Sequence, residues 1–409
     1  MIKLTKILLL LLISTFILQS CLKDTNTQTY TIYVPVYKSP AEVRANIKTA
    51  APQPIVHPGK IFIRGNFIFL NEVDKGVHII DNTNPNLPIN KHFIPIPGNL
   101  DVAVKGNTLY VDLYRDLVAI DITNPASVNV EKIIDKVFPT RIYNNGFFPD
   151  STMVVVDWVK KDTTSQFFPS SRGIANAFEA QNSGGINTIS VQPAGVGGSM
   201  ARFTLMGNYL YTVTDRELNV FNIAQPNNPL YSNMVPVGWR IETIFPFKNN
   251  LFIGSQTGMF IFNTIDPAHP SMVSQFSHLT SCDPVIADDD FAYVTLRTGT
   301  TCAGTINQLD ILNIQNLQTP ILVKSYALTN PHGLSKAGNT LFICDGSGGL
   351  KVFDATDKNN LQLLKTVSGI NTYDIITINN IAIVVATDGL YQYDISQPAN
   401  LKLKSKIGY

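Results

Sequence analysis

Seven times along this chain an apolar strand ends in Asp or Asn and runs into a turn that is usually Pro-rich, as in VHIIDNTNP, LVAIDITNP, NVFNIAQPNNP and YQYDISQP. The anchors are Asp81, Asp121, Asn222, Asn263, Asn313, Asp354 and Asp394, spaced by 40, 101, 41, 50, 41 and 40 residues. A unit of that size cannot bury its own apolar face, so it must stack on copies of itself. Short strands at such a period predict an all-β fold, a β-propeller with one four-stranded blade per repeat. Repetition therefore overrides the two or three separate domains that 409 residues would otherwise suggest.

A second recurrence is a hairpin of two apolar runs joined by a Gly/Asn/Asp turn. Its copies include VAVKGNTLYV, RFTLMGNYLYTV and IITINNIAIVV, with turns near residues 66, 107, 151, 208, 249, 289, 339 and 380. Such two-residue connections need positive φ, which Gly and Asn supply at low cost. Eight hairpins stand against seven anchors, and the mismatch falls in the 101-residue gap. There FFPDSTMVVV reads as a hairpin without a recognisable third strand, followed by a polar Gly/Ser-rich insertion at about 159–199. The hairpin count favours eight blades with the third modified; seven blades with a large insertion is the alternative. Within a repeat the order is inner strand (DVAVK), second strand (TLYVDLY), third strand (DLVAIDI), turn, and outer strand (VEKIIDK). The anchor side chain is expected to accept a hydrogen bond from the backbone two residues on, making it turn punctuation rather than chemistry.

The N-terminus predicts an address. Lys3 and Lys6 precede an apolar run, Ile7 to Leu18, that is too short to span a bilayer comfortably and reads as a secretory signal over residues 1–20. It ends in Leu18-Gln19-Ser20-Cys21, which resembles a bacterial lipobox. That resemblance implies lipidation at Cys21 and a membrane partner through the N-terminal lipid anchor, with several acyl chains giving stable attachment. Leu22 is not Asp, so the expectation is an outer-membrane lipoprotein, with cell-surface exposure as a further option. Residues 21–58 form a tether whose alternation Thr29–Tyr37 is expected to add a strand to a blade or pack on its flank. The propeller then occupies 59–409.

The segments LVAIDITNP, GNLDVAVKGNTLYVDLYRDLVAIDITNP and CDPVIADDDFAYVTLRTG resemble the LVIVD repeat of bacterial propeller-like proteins, and a lipoprotein group of Bacteroidetes that carries it. The resemblance covers roughly 30–409 and implies fold and location, without an activity to carry over. Charged residues are 15% and the formal net charge is +1, so no basic field points to nucleic acid.

In a propeller the inner strand lines the central channel, and its start shares a face with the loops joining second and third strands. That places Asp101, Arg202, Glu242, Asp283, His332 and Asp374 at one rim, a candidate ligand site. Carboxylates with a His could also serve as acid and base. The six His residues are scattered and no CxxC is present, so neither a metal site nor a cofactor is expected and no catalytic set is assigned. Asp288-Asp289-Asp290 reads as a hairpin tip. Cys282 and Cys302 fall on one face of the same repeat and are expected to form a disulfide, worth about 3 kcal/mol by loop entropy. The leading functional reading is a lipid-anchored binding or scaffold module for a protein or glycan partner, with the insertion and the Cys282/Cys302 loop as contact elements. The alternative is a channel-rim enzyme, a hydrolase or lyase acting on an extracellular polymer.

Overall fold

The computed structural model describes residues 26–141, 147–167, 196–277, 284–299 and 306–409. The chain divides into two compact units, one whose described residues are 26–36 and 157–167 and the other holding the remaining described residues. In the first, the alternating strand Asn26–Lys38 pairs with Val154–Phe167 in a two-stranded sheet, and Thr31 Oγ1 donates to Asp162 Oδ1 at 2.7 Å. Among the described residues the alternation at 29–37 lies in that two-stranded sheet and in none of the blade sheets. It pairs with the stretch that begins in the expected third hairpin.

Seven antiparallel blades make up the second unit among the described residues. Their inner strands are Pro58–Arg64, Val102–Lys105, Phe203–Met206, Phe245–Phe247, Val285–Ala287, Leu334–Ala337 and Thr372–Ile378. Each inner strand neighbours the next in this order, and the seventh returns to the first, so the ring is closed. The eight-blade expectation is corrected to seven. The Lys105 ammonium of blade 2 donates to the Gly207 carbonyl of blade 3 at 2.7 Å, leaving no place for a blade between them. Residues 147–157 carry a local hairpin signal but no anchor, and among the described residues no third or fourth blade strand pairs with them.

All seven anchors form the turn expected of them. Asp81 Oδ1 accepts from Thr83 N, Asp121 from Thr123, Asn222 from Ala224, Asn263 from Ile265, Asn313 from Gln315, Asp354 from Thr356 and Asp394 from Ser396, at 2.7–3.0 Å. The residue after each anchor then donates its N–H to the first hairpin turn of the same blade, as Ile122 does to Asn107 O and Ala355 to Asn339 O, both 2.8 Å. One residue is bulged from every outer strand at the same register, for example between Val220 and Phe221 and between Val352 and Phe353 of the facing strands. A repeated bulge twists the outer edge and discourages sheet-to-sheet aggregation.

Blades meet through apolar layers, as where Phe342, Cys344 and Val352 of blade 6 pack on Ile375, Ala382 and Val384 of blade 7. Each fully buried side chain of this size contributes about 1.5–3 kcal/mol. Hydroxyls also reach from one blade to the Pro turn of the next: Tyr110 to Pro226 O, Tyr211 to Pro267 O, Ser274 to Leu317 O, Tyr326 to Lys358 O and Ser405 to Pro85 O, at 2.5–2.8 Å. The modest helical signal in AEVRANIKTA yields one short helix, Pro40–Ala45, held by a reciprocal capping box between Ser39 and Glu42.

Candidate functional site

The central channel is crossed by the chain itself. Val196–Gly197 pairs antiparallel with Ile63 and Phe62, adding a strand to the channel edge of blade 1. The chain then touches blade after blade. Gly198 N donates to Ile61 O at 3.3 Å, Ser199 Oγ accepts from Leu334 N at 2.5 Å, Ala201 O accepts from Ile244 N at 3.3 Å, and Arg202 N donates to Asp101 Oδ2. Its small residues are required by space. A Cβ on Gly198 would lie 2.0 Å from Asp374 Oδ2.

This spindle changes the character of the rim. Asp101 is 1% exposed, pairs with the buried Lys60 ammonium at 3.0 Å, and accepts the backbone N–H groups of Arg202 and Phe203. Burial pulls the Lys60 ammonium below the ordinary lysine range, while Asp101 opposes that shift. Asp374, fully buried beside this pair, accepts from Ile375 N at 2.9 Å through Oδ1. Burial pushes its carboxyl up to about 7, against the pull of the Ile375 N–H and Lys60. Asp101, Arg202 and Asp374 therefore converge on Lys60 as an interior polar cluster.

Glu242 faces a cavity that Arg202 also lines, and His332 packs against Tyr373. Glu242 accepts from Gln256 Nε2 at 2.7 Å, and Gln256 in turn accepts from Arg240 at 2.8 Å. These three, with Arg202, Asp215 and Ile241, line a cavity of about 160 Å³. His332 is 5% exposed, edge-on to Tyr373 at 5.1 Å; burial and the neighbouring Arg297 hold its imidazole well below the usual histidine range, hence neutral. Asp283 lies outside the described residues, as do Cys21, Cys282 and Cys302. Among the described residues no cluster of metal-ligating groups occurs, and Cys344 is a free buried thiol.

Further acids at second-strand ends do structural work. Asp112 accepts Leu100 N and Asp101 N, Asp345 accepts Thr329 N and Asn330 N, and Glu72 accepts Val56 N and His57 N, each fixing the backbone that leads into an inner strand.

The opposite end of the channel, where inner strands run into their hairpin turns, holds a cavity of about 810 Å³. Inner strands of blades 3 to 7 form its wall, and Gly197 and Ser199 of the spindle close its inner side. Met206, Phe245, Phe247 and Ile286 give it an apolar body. Lys248 and Lys336 are its charged lining, with no Asp or Glu among the residues that face it. Sequence reasoning placed the candidate site at the other mouth. Its only available signal here was FPFKNN and LSKAGN, where Lys follows an inner strand directly or within it; which mouth the spindle closes depends on a pairing between residues 196–197 and 62–63 that no local motif announces.

Residues 99–135 match the LVIVD repeat. No curated protein matches the chain significantly. Among solved structures, a protein from Lactobacillus plantarum aligns with TM-score 0.53 at 12% identity, over 85% of this chain and 96% of its own. A functionally unknown protein from Desulfotomaculum acetoxidans aligns with TM-score 0.51 at 13% identity, over 86% and 95%. The computationally designed Ika8 protein aligns with TM-score 0.50 at 10% identity, over 88% and 91%. These likenesses concern the propeller fold.

Proposed function

We propose that the protein is a binding module of the bacterial envelope, carried on a lipid at Cys21 and engaging its partner, a protein or a glycan, through the hairpin face of the ring. The supporting observation is the asymmetry of the channel. At one mouth Asp101 and Asp374 are buried against the spindle and Lys60, while the other mouth keeps a concave, mixed apolar and polar pocket of the kind that receives ligands. A channel-rim enzyme would need those carboxylates to reach a substrate, and their burial argues against it.

The test is site-specific photo-crosslinking on intact cells. A crosslinking amino acid at Asn249, on the hairpin face, captures a partner, whereas one at Arg216, on a loop joining second and third strands, captures none; Cys21→Ser releases the protein from the membrane fraction. Capture from Arg216 alone, or from neither position, overturns the binding face, and unchanged membrane retention of the Cys21→Ser protein overturns the anchor.

A further inference from the structure

The hairpin-face cavity carries more chemistry than a contact surface needs, and it is organised around one acidic tip. The Asp288-Asp289-Asp290 turn of blade 5 lies between blades 4 and 6 and gathers one lysine from each. Lys248, in the blade 4 hairpin turn with φ 53°, reaches Asp289 at 2.6 Å. Lys336, on the blade 6 inner strand, reaches Asp288 at 2.9 Å. Both lysines line the pocket, and neither aspartate does.

The two pairs do not cancel the positive character of the wall. Asp288 is shared among several donors: its Oδ2 takes Lys336 and the Tyr293 hydroxyl at 2.9 Å, and its Oδ1 takes the N–H groups of Phe291 at 2.9 Å and Asp290 at 3.1 Å. A lysine ammonium has three protons, so one bond to Asp288 leaves two. Lys336 is only 17% exposed in its side chain and also lies over the Tyr293 ring at 5.8 Å, so the ammonium is held in place before any ligand arrives. The rest of the lining is largely apolar, with the partly buried Phe245, Phe247 and Met206 alongside Ile286.

We infer that this cavity binds small organic anions with an apolar body, the acid head on Lys336 and Lys248 and the body against Met206, Phe245, Phe247 and Ile286. The inference rests on the hairpin face being the ligand face and adds the chemical class that its pocket takes. A carboxylate head satisfies the positioned ammonium groups, and an apolar tail replaces water on the strand walls. About 810 Å³ leaves room for such a molecule rather than a single ion.

The experiment is calorimetric titration of the purified protein carrying Cys21→Ser with octanoate and with 1-octanol, which shares the chain and lacks the charge. Octanoate is expected to bind one per chain and about tenfold more tightly than the alcohol, the usual worth of one charge-assisted hydrogen bond. The Lys248→Met/Lys336→Met protein is expected to lose that factor and keep its affinity for the alcohol. Lys248→Met alone, at an exposed position that leaves Asp288 paired, provides a variant whose folding is secure. Equal affinity for acid and alcohol, or an octanoate affinity unchanged in the double variant, overturns the inference. If neither ligand binds while crosslinking from Asn249 still captures a partner, the anion site falls and the binding-module reading stands. Octanoate binding without any crosslinked partner gives the reverse result.

Discussion

Asp374→Asn is expected to stabilise the protein at pH 8 and to do so less and less as pH falls. Asp374 titrates at about 7 in the folded chain against an ordinary 3.8, chiefly because burial disfavours the charged carboxylate. Between those two values the folded chain holds a proton that the unfolded chain has released. Each pH unit gained in that window therefore costs the folded state about 1.4 kcal/mol, and the full span from 3.8 to about 7 amounts to about 4 kcal/mol. The contribution is whole below pH 4 and gone above about 7. Asn has the same shape, keeps an acceptor for Ile375 N, and never ionises, so it removes this slope without opening a cavity. The assay is urea unfolding of both proteins at pH 5, 6, 7 and 8, reading the stability difference so that every other titrating group cancels. The advantage of the Asn variant should rise by about 1.4 kcal/mol per unit from pH 5 to 7 and level off near 8. A difference that stays constant with pH, or that grows toward acid, refutes the burial of an ionisable Asp374 against the spindle.

Gly198→Ala is expected to lower the unfolding midpoint by the equivalent of about 1–3 kcal/mol and to open residues 196–202 to limited proteolysis, since the new methyl must displace the Asp374 carboxylate. Tyr211→Phe removes the 2.7 Å bond to Pro267 O between blades 3 and 4 and should cost about 1 kcal/mol in denaturant unfolding, leaving octanoate affinity unchanged. Alkylation of the protein carrying Cys21→Ser should leave Cys344 unmodified in the native state, where burial pushes the thiol well above its ordinary range. After denaturation without reductant one cysteine should react, and three after reduction; three without reductant would exclude the Cys282–Cys302 disulfide.

The blade itself was legible because its signals are local. An Asp or Asn at a strand end acts on a backbone N–H two residues away, and all seven copies do so in the structure. The same locality explains the eighth blade. Residues 147–157 look like a hairpin by their turn and alternation, yet what Val154–Phe167 pairs with is the strand Asn26–Lys38, more than a hundred residues earlier. Counting anchors, each of which is tied to a hairpin turn by a second backbone bond, would have returned seven. The burial of two rim carboxylates was hidden for a related reason. Asp101 and Asp374 begin inner strands, where a solvated edge is the ordinary outcome, and only the crossing of the channel by residues 196–202 buries them. Gly195-Val196-Gly197-Gly198 offered no motif, and the role of Gly198 is close approach to the Asp374 carboxylate of blade 7.

That crossing also bears on how the ring stays closed. Every blade has four consecutive strands, with Val196–Gly197 added to blade 1, so among the described residues no strand from one end of the propeller completes a blade begun at the other. Closure between blades 7 and 1 rests on the paired amides of Asn82 and Gln392, at 3.1 and 2.6 Å, the Ser405 bond to Pro85 O, and the apolar layer of Ile61, Ile63 and Ile68 against Ile376, Ile383 and Val385. The spindle adds what strand exchange would otherwise provide. Departing from blade 3, it pairs with blade 1 and bonds to blades 2, 4 and 6, and Gly198 packs on Asp374 of blade 7, so one short segment joins both sides of the seam. Its position has two consequences that follow from the same atoms. It spends the rim carboxylates on holding the ring together, and by lying against blade 1 it leaves the walls of blades 3 to 7 free to form the pocket at the other mouth. The buried polar cluster and the proposed binding pocket thus fall at opposite ends of one channel, by where a glycine-rich strand enters it.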